Sequence, residues 1–186
     1  MDIIERAAIY AIKAHEGQRR KIKKHHYFYH PMEVAFIAED LTEDDDVVVA
    51  ALLHDVLEEC KIDPHEIEKE FGTRVMNLVL SETEKEYDMP KEASWRIRKE
   101  ESIKKLKESD DLGVKILFLS DKLSNIRSLY RAYMEEGDAC FNHFHNNNKA
   151  DHYWYYKSIL DNVSELKDQL KYQEYKQIIE RIFEGK

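Results

Sequence analysis

Residues 47–59, VVVAALLHDVLEE, form a strongly apolar stretch with His54 and Asp55 set into its middle. An apolar run of this length predicts a core helix, where an ionisable pair is costly unless it is paired or binds a ligand. On an α-helix, residues three and four positions apart share a face, so Glu58 and Glu59 lie one turn beyond this pair. The stretch is therefore either a core histidine capped by its neighbouring acid or part of a ligand site.

The composition predicts an all-α fold. The chain has 186 residues with only 5 glycines and 3 prolines, and apolar residues recur at three-to-four spacing along most of it. This length suits one domain with a sizeable core, so we expect residues 1–186 to fold together. The net charge of −9 would repel a polyanion, which argues against nonspecific binding of nucleic acid.

The N-terminal residues and the two cysteines indicate the cellular compartment of the protein. The first residues are acidic and lack the basic start of a signal peptide, and no segment approaches the roughly 18 apolar residues of a membrane helix. Cys60 and Cys140 are far apart and neither lies in a CxxC pair, which is typical of free thiols in a reducing compartment. We predict a cytoplasmic protein without membrane contact, and a homo-oligomer stays possible.

Residues 17–31, GQRRKIKKHHYFYHP, contain a basic run between Arg19 and Lys24. Such a run is ordinarily a solvated loop, but arginine and lysine together are also suited to holding phosphate groups. His30 differs from the other histidines here, because Pro31 restricts it to extended backbone and favours the first turn of a helix. The sequence thus predicts a histidine at a helix start, directly after a basic loop.

Residues 111–136 predict a second buried helix, whose apolar face is interrupted by Asp121, with Asn125 four residues further on the same side. Residues 141–156 mix aromatic, histidine and amide side chains and predict an irregular loop that covers the core. Helical spacing resumes from Tyr156 to Leu170, and a short helix over 172–184 closes the chain.

A single metal ion would account for all of these awkwardly placed polar side chains. Two imidazoles and two carboxylates form a mixed nitrogen and oxygen site, which suits Mn²⁺, Fe²⁺, Ni²⁺, Co²⁺ or Zn²⁺. An octahedral ion would keep two positions for a water and a substrate oxygen. Glu58 and Glu59 would then orient the water or move protons, while the basic loop would hold an anionic substrate. The candidate ligands are His30, His54, Asp55 and Asp121.

The spacing His…His-Asp…Asp resembles that of the HD-domain metal-dependent phosphohydrolases. Within that group, four linked motifs resemble the hydrolase domain of RelA/SpoT proteins and the small stand-alone alarmone hydrolases. The resemblance covers residues 4–131 and implies an HD-domain bundle of about eight to ten helices, with C-terminal helices over 149–184 packed on it. The motifs are QRRK before Tyr27-x-x-His30-Pro31, AALLHDVLEE, FGTRVMNLV with Thr83, and LSDKLSNIR.

The resemblance also implies a chemistry for individual residues. The four candidate ligands would bind Mn²⁺, and Glu58 matches the first acid of a Glu-Asp pair implicated in activating the attacking water. The implied reaction removes the 3′-pyrophosphate of ppGpp or pppGpp, giving pyrophosphate and GDP or GTP. The chain has no room for the synthetase domain of long RelA/SpoT proteins, so hydrolysis alone is predicted. Substrate contacts are implied for Arg20, Lys21, Asn125, Lys149 and Tyr155.

Three departures from the family pattern keep other functions open. Glu59 stands where an aspartate is usual, and Ile22-Lys23-Lys24 replaces smaller or polar residues. Residues 94–107 and 149–159 resemble a less characterised bacterial branch of HD hydrolases. One alternative is an HD hydrolase of another nucleotide, such as a nucleoside monophosphate. Another is a non-catalytic HD domain that only binds a nucleotide.

Overall fold

The computed structural model describes residues 1–185, which form a bundle of ten α-helices joined by short 3₁₀ and π turns. No strand occurs in this part of the chain, where Arg19 and His26 form only an isolated bridge. The all-α prediction is therefore confirmed. The helices are α1 (Ile3–Ala14), α2 (Tyr29–Glu39), α3 (Asp45–Leu53), α4 (Val56–Cys60), α5 (Pro64–Phe71), α6 (Thr73–Glu82), α7 (Lys91–Glu108), α8 (Leu112–Glu136), α9 (Lys149–Asn162) and α10 (Leu170–Ile179).

The helix α3 lies at the centre of the bundle and packs against α1, α2, α6 and α8. Every residue from Val47 to Leu53 is buried, so this helix is covered on all sides. Near the start of α8, Gly113 allows a close crossing with α3, because a Cβ at that position would lie 2.9 Å from Cγ2 of Val47. The crossing sets the separation of the two helices that lead to His54 and Asp121.

The prediction of a continuous helix over residues 47–59 is wrong at the His54-Asp55 pair. The helix α3 ends at Leu53, α4 begins at Val56, and Asp55 between them has φ −95° and ψ −6°. The cause is local, because Nδ1 of His54 lies 2.8 Å from the carbonyl oxygen of Ala51. In an unbroken helix that oxygen would accept from the backbone N–H of Asp55.

The C-terminal part also differs from its prediction. Residues 141–156 are not one irregular loop, because a 3₁₀ helix runs over Gly137–His143 and α9 begins at Lys149. The helix expected from Tyr156 to Leu170 is interrupted after Asn162, whose side-chain amide donates to the carbonyl oxygen of Ser158 at 2.8 Å. The closing helix is α10, continued by a π turn over Glu180–Glu184.

The helices within residues 1–185 include none with the length and apolar character to cross a membrane.

Candidate metal centre and substrate cavity

Four side chains from three separate helical segments converge on one point. His30 lies in the first turn of α2, His54 and Asp55 occupy the break between α3 and α4, and Asp121 lies midway along α8. Nε2 of His30 is 3.1 Å from Oδ1 of Asp121 and 3.5 Å from Oδ2 of Asp55. Nε2 of His54 is 3.2 Å from Oδ2 of Asp55, 3.5 Å from Oδ1 of Asp121 and 3.2 Å from Nε2 of His30.

These separations are those of ligands around one metal ion. Nitrogen and oxygen ligands lie about 2.0–2.2 Å from a first-row divalent ion, which places neighbouring ligand atoms about 3.0–3.5 Å apart. His30, His54 and Asp121 are all buried and offer ligand atoms within 4.8 Å of one another. These three donors are therefore compatible in both chemistry and spacing with a divalent cation, and Asp55, which lies outside that group, adds a carboxylate oxygen next to both imidazoles.

Hydrogen bonds on the far side of each imidazole turn its Nε2 lone pair toward this point. Nδ1–H of His54 donates to the carbonyl oxygen of Ala51, and Nδ1–H of His30 donates to Oγ of Ser124 at 2.9 Å. The Ser124 hydroxyl in turn donates to Oε2 of Glu33 at 2.9 Å, so its oxygen is left to accept from His30. Partners of this kind fix the orientation of metal-binding histidines.

The carboxylates are held in the same way. The hydroxyl of Tyr27 donates to Oδ2 of Asp55 at 2.7 Å, and the side-chain amide of Asn125 donates to Oδ1 of Asp121 at 2.7 Å. The ammonium of Lys122 pairs with the other oxygen, Oδ2, of Asp121. Each carboxylate thus arrives at the centre with its orientation already set.

Three of the four side chains, His30, Asp55 and Asp121, help to line a cavity of about 930 Å³. Glu58 and Glu59 line the same cavity; Glu58 is half-buried and Glu59 is exposed. The basic loop, α7, α8 and α9 all contribute to the lining. Predicted substrate residues that line it are Arg20, Lys21, Asn125 and Tyr155.

Lys149 does not belong to this lining. It lies at the first position of α9, where its ammonium pairs with Oδ1 of Asp138 at 2.6 Å and packs over the ring of Tyr133. A substrate contact for Lys149 stays a prediction, because the ammonium pairs with Asp138 and the residue is absent from the lining.

The comparison with known families agrees with this centre. Residues 7–148 match the family described as HD domain. The chain belongs to the HD-domain family. The resemblance to HD-domain proteins that the sequence motifs indicated is thereby confirmed.

Relatives of this HD-domain protein include long alarmone enzymes. It is 33% identical over 132 residues to a GTP pyrophosphokinase of Myxococcus xanthus, and 34% identical over 129 residues to a guanosine-3′,5′-bis(diphosphate) 3′-pyrophosphohydrolase of Aquifex aeolicus. These matches cover 69% and 68% of this chain but only 17% and 18% of the relatives. The chain thus spans less than a fifth of the length of these proteins.

Two solved structures resemble this HD-domain protein over most of their own length. A Listeria monocytogenes protein superposes with a TM-score of 0.72 at 31% identity, covering 83% of this chain and 99% of that one. A structure described as a metazoan ortholog of SpoT that hydrolyzes ppGpp has a TM-score of 0.72 at 26% identity, covering 100% and 96%. The all-α architecture is therefore shared with proteins of similar size.

The electrostatics of the HD-domain centre favour a positive charge. Burial, together with the nearby Arg20 guanidinium, lowers the pKa of His30 to about 4. Burial also acts to lower the pKa of His54, but the carboxylates of Asp55 and Asp121 outweigh it and raise that pKa well above its ordinary value. A proton on His54 and a metal ion therefore compete for the same place, so metal binding weakens as the pH falls.

Sequence reasoning missed several side chains of the cavity. Lys122 is buried and bridges Asp121 to Glu82, whose carboxylate lies 3.1 Å from its ammonium. The sequence does contain a signal for this role, because Lys122 directly follows Asp121 in an apolar helical segment. Burial raises the pKa of Glu82 to about 7 despite Lys122. The helix α7 also lines the cavity, with Lys91, Trp95, Arg98 and Lys99.

Proposed function

We propose that this protein is a metal-dependent phosphohydrolase that removes the 3′-pyrophosphate of ppGpp or pppGpp, giving pyrophosphate and GDP or GTP. The observation that carries the proposal is that Nε2 of His30 and Nε2 of His54 each lie 3.1–3.5 Å from a carboxylate oxygen of both Asp55 and Asp121, beside a cavity that includes cationic side chains. The activity named for the Aquifex relative and the metazoan SpoT ortholog supports the choice of substrate.

The residues that would hold the metal are His30, His54, Asp55 and Asp121, and the mixed nitrogen and oxygen donor set suits Mn²⁺. When bound there, a divalent ion supplies polarisation of a phosphoryl oxygen and a water of lowered pKa. Tyr27 keeps Asp55 turned inward by its hydrogen bond.

Glu58 is the proposed proton acceptor for the attacking water. It lines the cavity one helical turn beyond Asp55, and its Oε2 lies 3.5 Å from the backbone N–H of Glu84. Burial and the charges of Glu84 and Asp55 raise the pKa of Glu58, which makes it a stronger base than a free carboxylate. Glu59 is exposed at the same cavity and would assist from the solvent side.

The phosphate-binding role falls to the basic loop. The guanidinium of Arg20 donates to Oδ1 of Asn125 at 2.8 Å, which ties the loop to α8 next to Asp121. Lys21 is exposed and lines the cavity beside it. An arginine held in place by an amide offers its remaining donors in a fixed orientation, which suits a phosphate group.

A hydrolase acting on another nucleotide is the second candidate, and one feature of the loop favours it. Lys23 and Lys24 both have positive φ, 61° and 54°, in a conformation that non-glycine residues rarely adopt. Two consecutive strained residues at a candidate phosphate loop point to a shape built for a particular ligand. A non-catalytic nucleotide-binding domain has less support, because the full set of buried donors and Glu58 is kept.

The test uses the purified chain with Mn²⁺, assayed for pyrophosphate release from ppGpp and for phosphate release from a panel of nucleoside mono- and triphosphates. The proposal expects metal-dependent pyrophosphate release from ppGpp. Turnover of another nucleotide alone would establish the second candidate. Metal binding without turnover of any compound would establish the non-catalytic one.

Two further expectations belong to the same proposal. Cys60 and Cys140 are both free cysteines, in keeping with the predicted cytoplasmic location. A homo-oligomer remains possible, and sedimentation velocity would measure the state directly.

A further inference from the structure

The α7 wall of the cavity carries a tryptophan among cationic side chains. Trp95 lies on α7 with Lys91 one turn before it and Arg98 and Lys99 one turn after it, and all four line the cavity. Residues at this spacing share one helix face. An aromatic ring bracketed by cations offers a nucleotide both a stacking surface and phosphate contacts.

Within residues 1–185, no parallel ring is stacked on the ring of Trp95. Its aromatic neighbours meet it at steep angles, 56° for His152, 60° for Trp154 and 71° for Tyr155, with centroids 5.7–6.4 Å away. It is half-buried, so part of its surface remains accessible. Phe144, also half-buried, lines the same part of the cavity and contacts His152.

The second tryptophan provides a contrast within the same cluster. Trp154 is absent from the cavity lining, and the guanidinium of Arg96 lies over its ring at 3.3 Å from the centroid. Its face is thus occupied by a side chain of the protein itself. Because the chain contains only 2 tryptophans, Trp95 is the one that a cavity ligand can reach.

We propose that Trp95 and Phe144 form an aromatic subsite that stacks on the nucleobase of a nucleotide bound in this cavity, with phosphates of that ligand held by Lys91, Arg98 and Lys99. This inference rests on the proposed nucleotide substrate and assigns the position of its ring. The basic loop around Arg20 then holds a second anionic part of the same ligand. The ring subsite and the basic loop line the same cavity.

Arg98 and Lys99 are already arranged for this purpose. Both pair with the carboxylate of Glu84, which lies 2.5 Å from the Lys99 ammonium, and the cations lower the pKa of Glu84 against its burial. Lys99 also packs over the ring of Tyr155 at 4.7 Å. Nε and Nη2 of Arg98 also donate to Oγ of Ser94 and to the carbonyl oxygen of Lys91, so this guanidinium is fixed in place. One carboxylate between two cations leaves a net positive charge that attracts a phosphate.

The first experiment is tryptophan fluorescence. The variant Trp154→Phe keeps Trp95 as the sole tryptophan, and it is titrated with GDP and, separately, with inorganic pyrophosphate. Saturable quenching by GDP, with a much smaller change for pyrophosphate, is the expected result. The reciprocal variant Trp95→Phe should show no GDP-dependent change. Unchanged Trp95 emission while equilibrium dialysis detects bound GDP would overturn the subsite, and so would an absence of GDP binding.

The second experiment measures affinity. Replacing Trp95 by alanine should weaken GDP binding by about 5- to 140-fold, since stacking on one aromatic side chain contributes to binding in that range. Pyrophosphate affinity should be unchanged, because it has no ring. Trp154→Ala is the matched control and should leave both affinities unaltered. Equal weakening for GDP and pyrophosphate would show a structural role and refute the subsite.

These measurements do not depend on turnover. A protein that binds GDP against Trp95 but does not hydrolyse ppGpp would retain the subsite and lose the proposed alarmone substrate. If the parent protein hydrolyses ppGpp and Trp95→Ala hydrolyses it with the same kinetics, the alarmone substrate would be retained and the subsite would be refuted.

Discussion

Replacing Ser124 by alanine tests whether the hydrogen bonds behind the metal centre determine metal binding. In the structure the Ser124 hydroxyl accepts from Nδ1–H of His30 and donates to Glu33, both at 2.9 Å. Alanine removes both bonds, so His30 loses the contact that fixes its ring and Glu33 loses one donor. Nothing else in the metal-binding set is altered.

The expected size of the effect follows from these two bonds. Loss of a partner behind a metal-binding histidine weakens metal affinity by about 10- to 100-fold, equivalent to roughly 1.4–2.8 kcal/mol. The free energy of unfolding of the metal-free protein should fall by about 1–3 kcal/mol, because the Nδ1–H of buried His30 is left without an acceptor. The carboxylate of Glu33 keeps its ion pair with Arg127, so its loss of the Ser124 donor adds little to the change in the free energy of unfolding.

Isothermal titration with Mn²⁺ and urea unfolding measure the two quantities separately. Ser128→Ala is the control, because Ser128 lies one turn further along α8 and is not hydrogen-bonded to His30 or Glu33. Its hydroxyl oxygen accepts a hydrogen bond from Arg131. It should change neither quantity appreciably. A Ser124→Ala protein that binds Mn²⁺ within threefold of the parent would refute the role given to this hydrogen bond.

The remaining predictions concern the proposed chemistry. Glu58→Gln should retain Mn²⁺, measured by elemental analysis, and lose about 10²- to 10⁴-fold in kcat, since it removes a proton acceptor at constant shape; full activity would exclude Glu58 from the mechanism. Burial raises the pKa of Glu58 above its ordinary value of 4.5, and a base acts only when it is deprotonated. On acidification, kcat/KM should therefore begin to fall at a pH above 4.5. An acidic limb of the pH profile at or below 4.5 would contradict this expectation. Asp121→Ala should abolish stoichiometric Mn²⁺ binding by removing a ligand, and unchanged metal content would disprove the assignment. Lys149→Met should leave KM unchanged because its ammonium pairs with Asp138 outside the cavity lining, whereas Lys21→Met should raise KM; the opposite ranking would restore Lys149 to the substrate site.

Much of the fold and the position of the centre could be predicted from the sequence. Scarce glycine and proline and apolar residues at helical spacing predict helices, and His54, Asp55 and Asp121 stand out because each lies in an apolar run. A buried charge needs a partner wherever it lies in the chain. Because of that requirement, the His54-Asp55 pair could be linked to Asp121, nearly 70 residues further along the chain, from the sequence alone.

Features decided by a single side-chain contact could not be predicted. The break after Leu53 depends on the bond between His54 and the Ala51 carbonyl, which leaves no trace in hydrophobic periodicity. Lys149 falls among aromatic residues that suggest a ligand, but the start of α9 places it against Asp138. The α7 cations have the pattern of an ordinary surface helix, and only the packing of α7 against α9 turns them toward the cavity.

The interruption between α3 and α4 has a consequence for protein engineering. In a regular helix, consecutive side chains point about 100° apart around the axis, so His54 and Asp55 could not both face one ion. The interruption gives up local helical regularity and brings both donors to the same side. Of residues 51–57, Ala51, Leu52, Leu53, Val56 and Leu57 are buried in the core, so only the His54-Asp55 pair could be replaced by stronger helix formers without disturbing the packing. Such a replacement would restore helical regularity and remove an ion donor at the same time, so local regularity and ion binding are mutually exclusive at this pair.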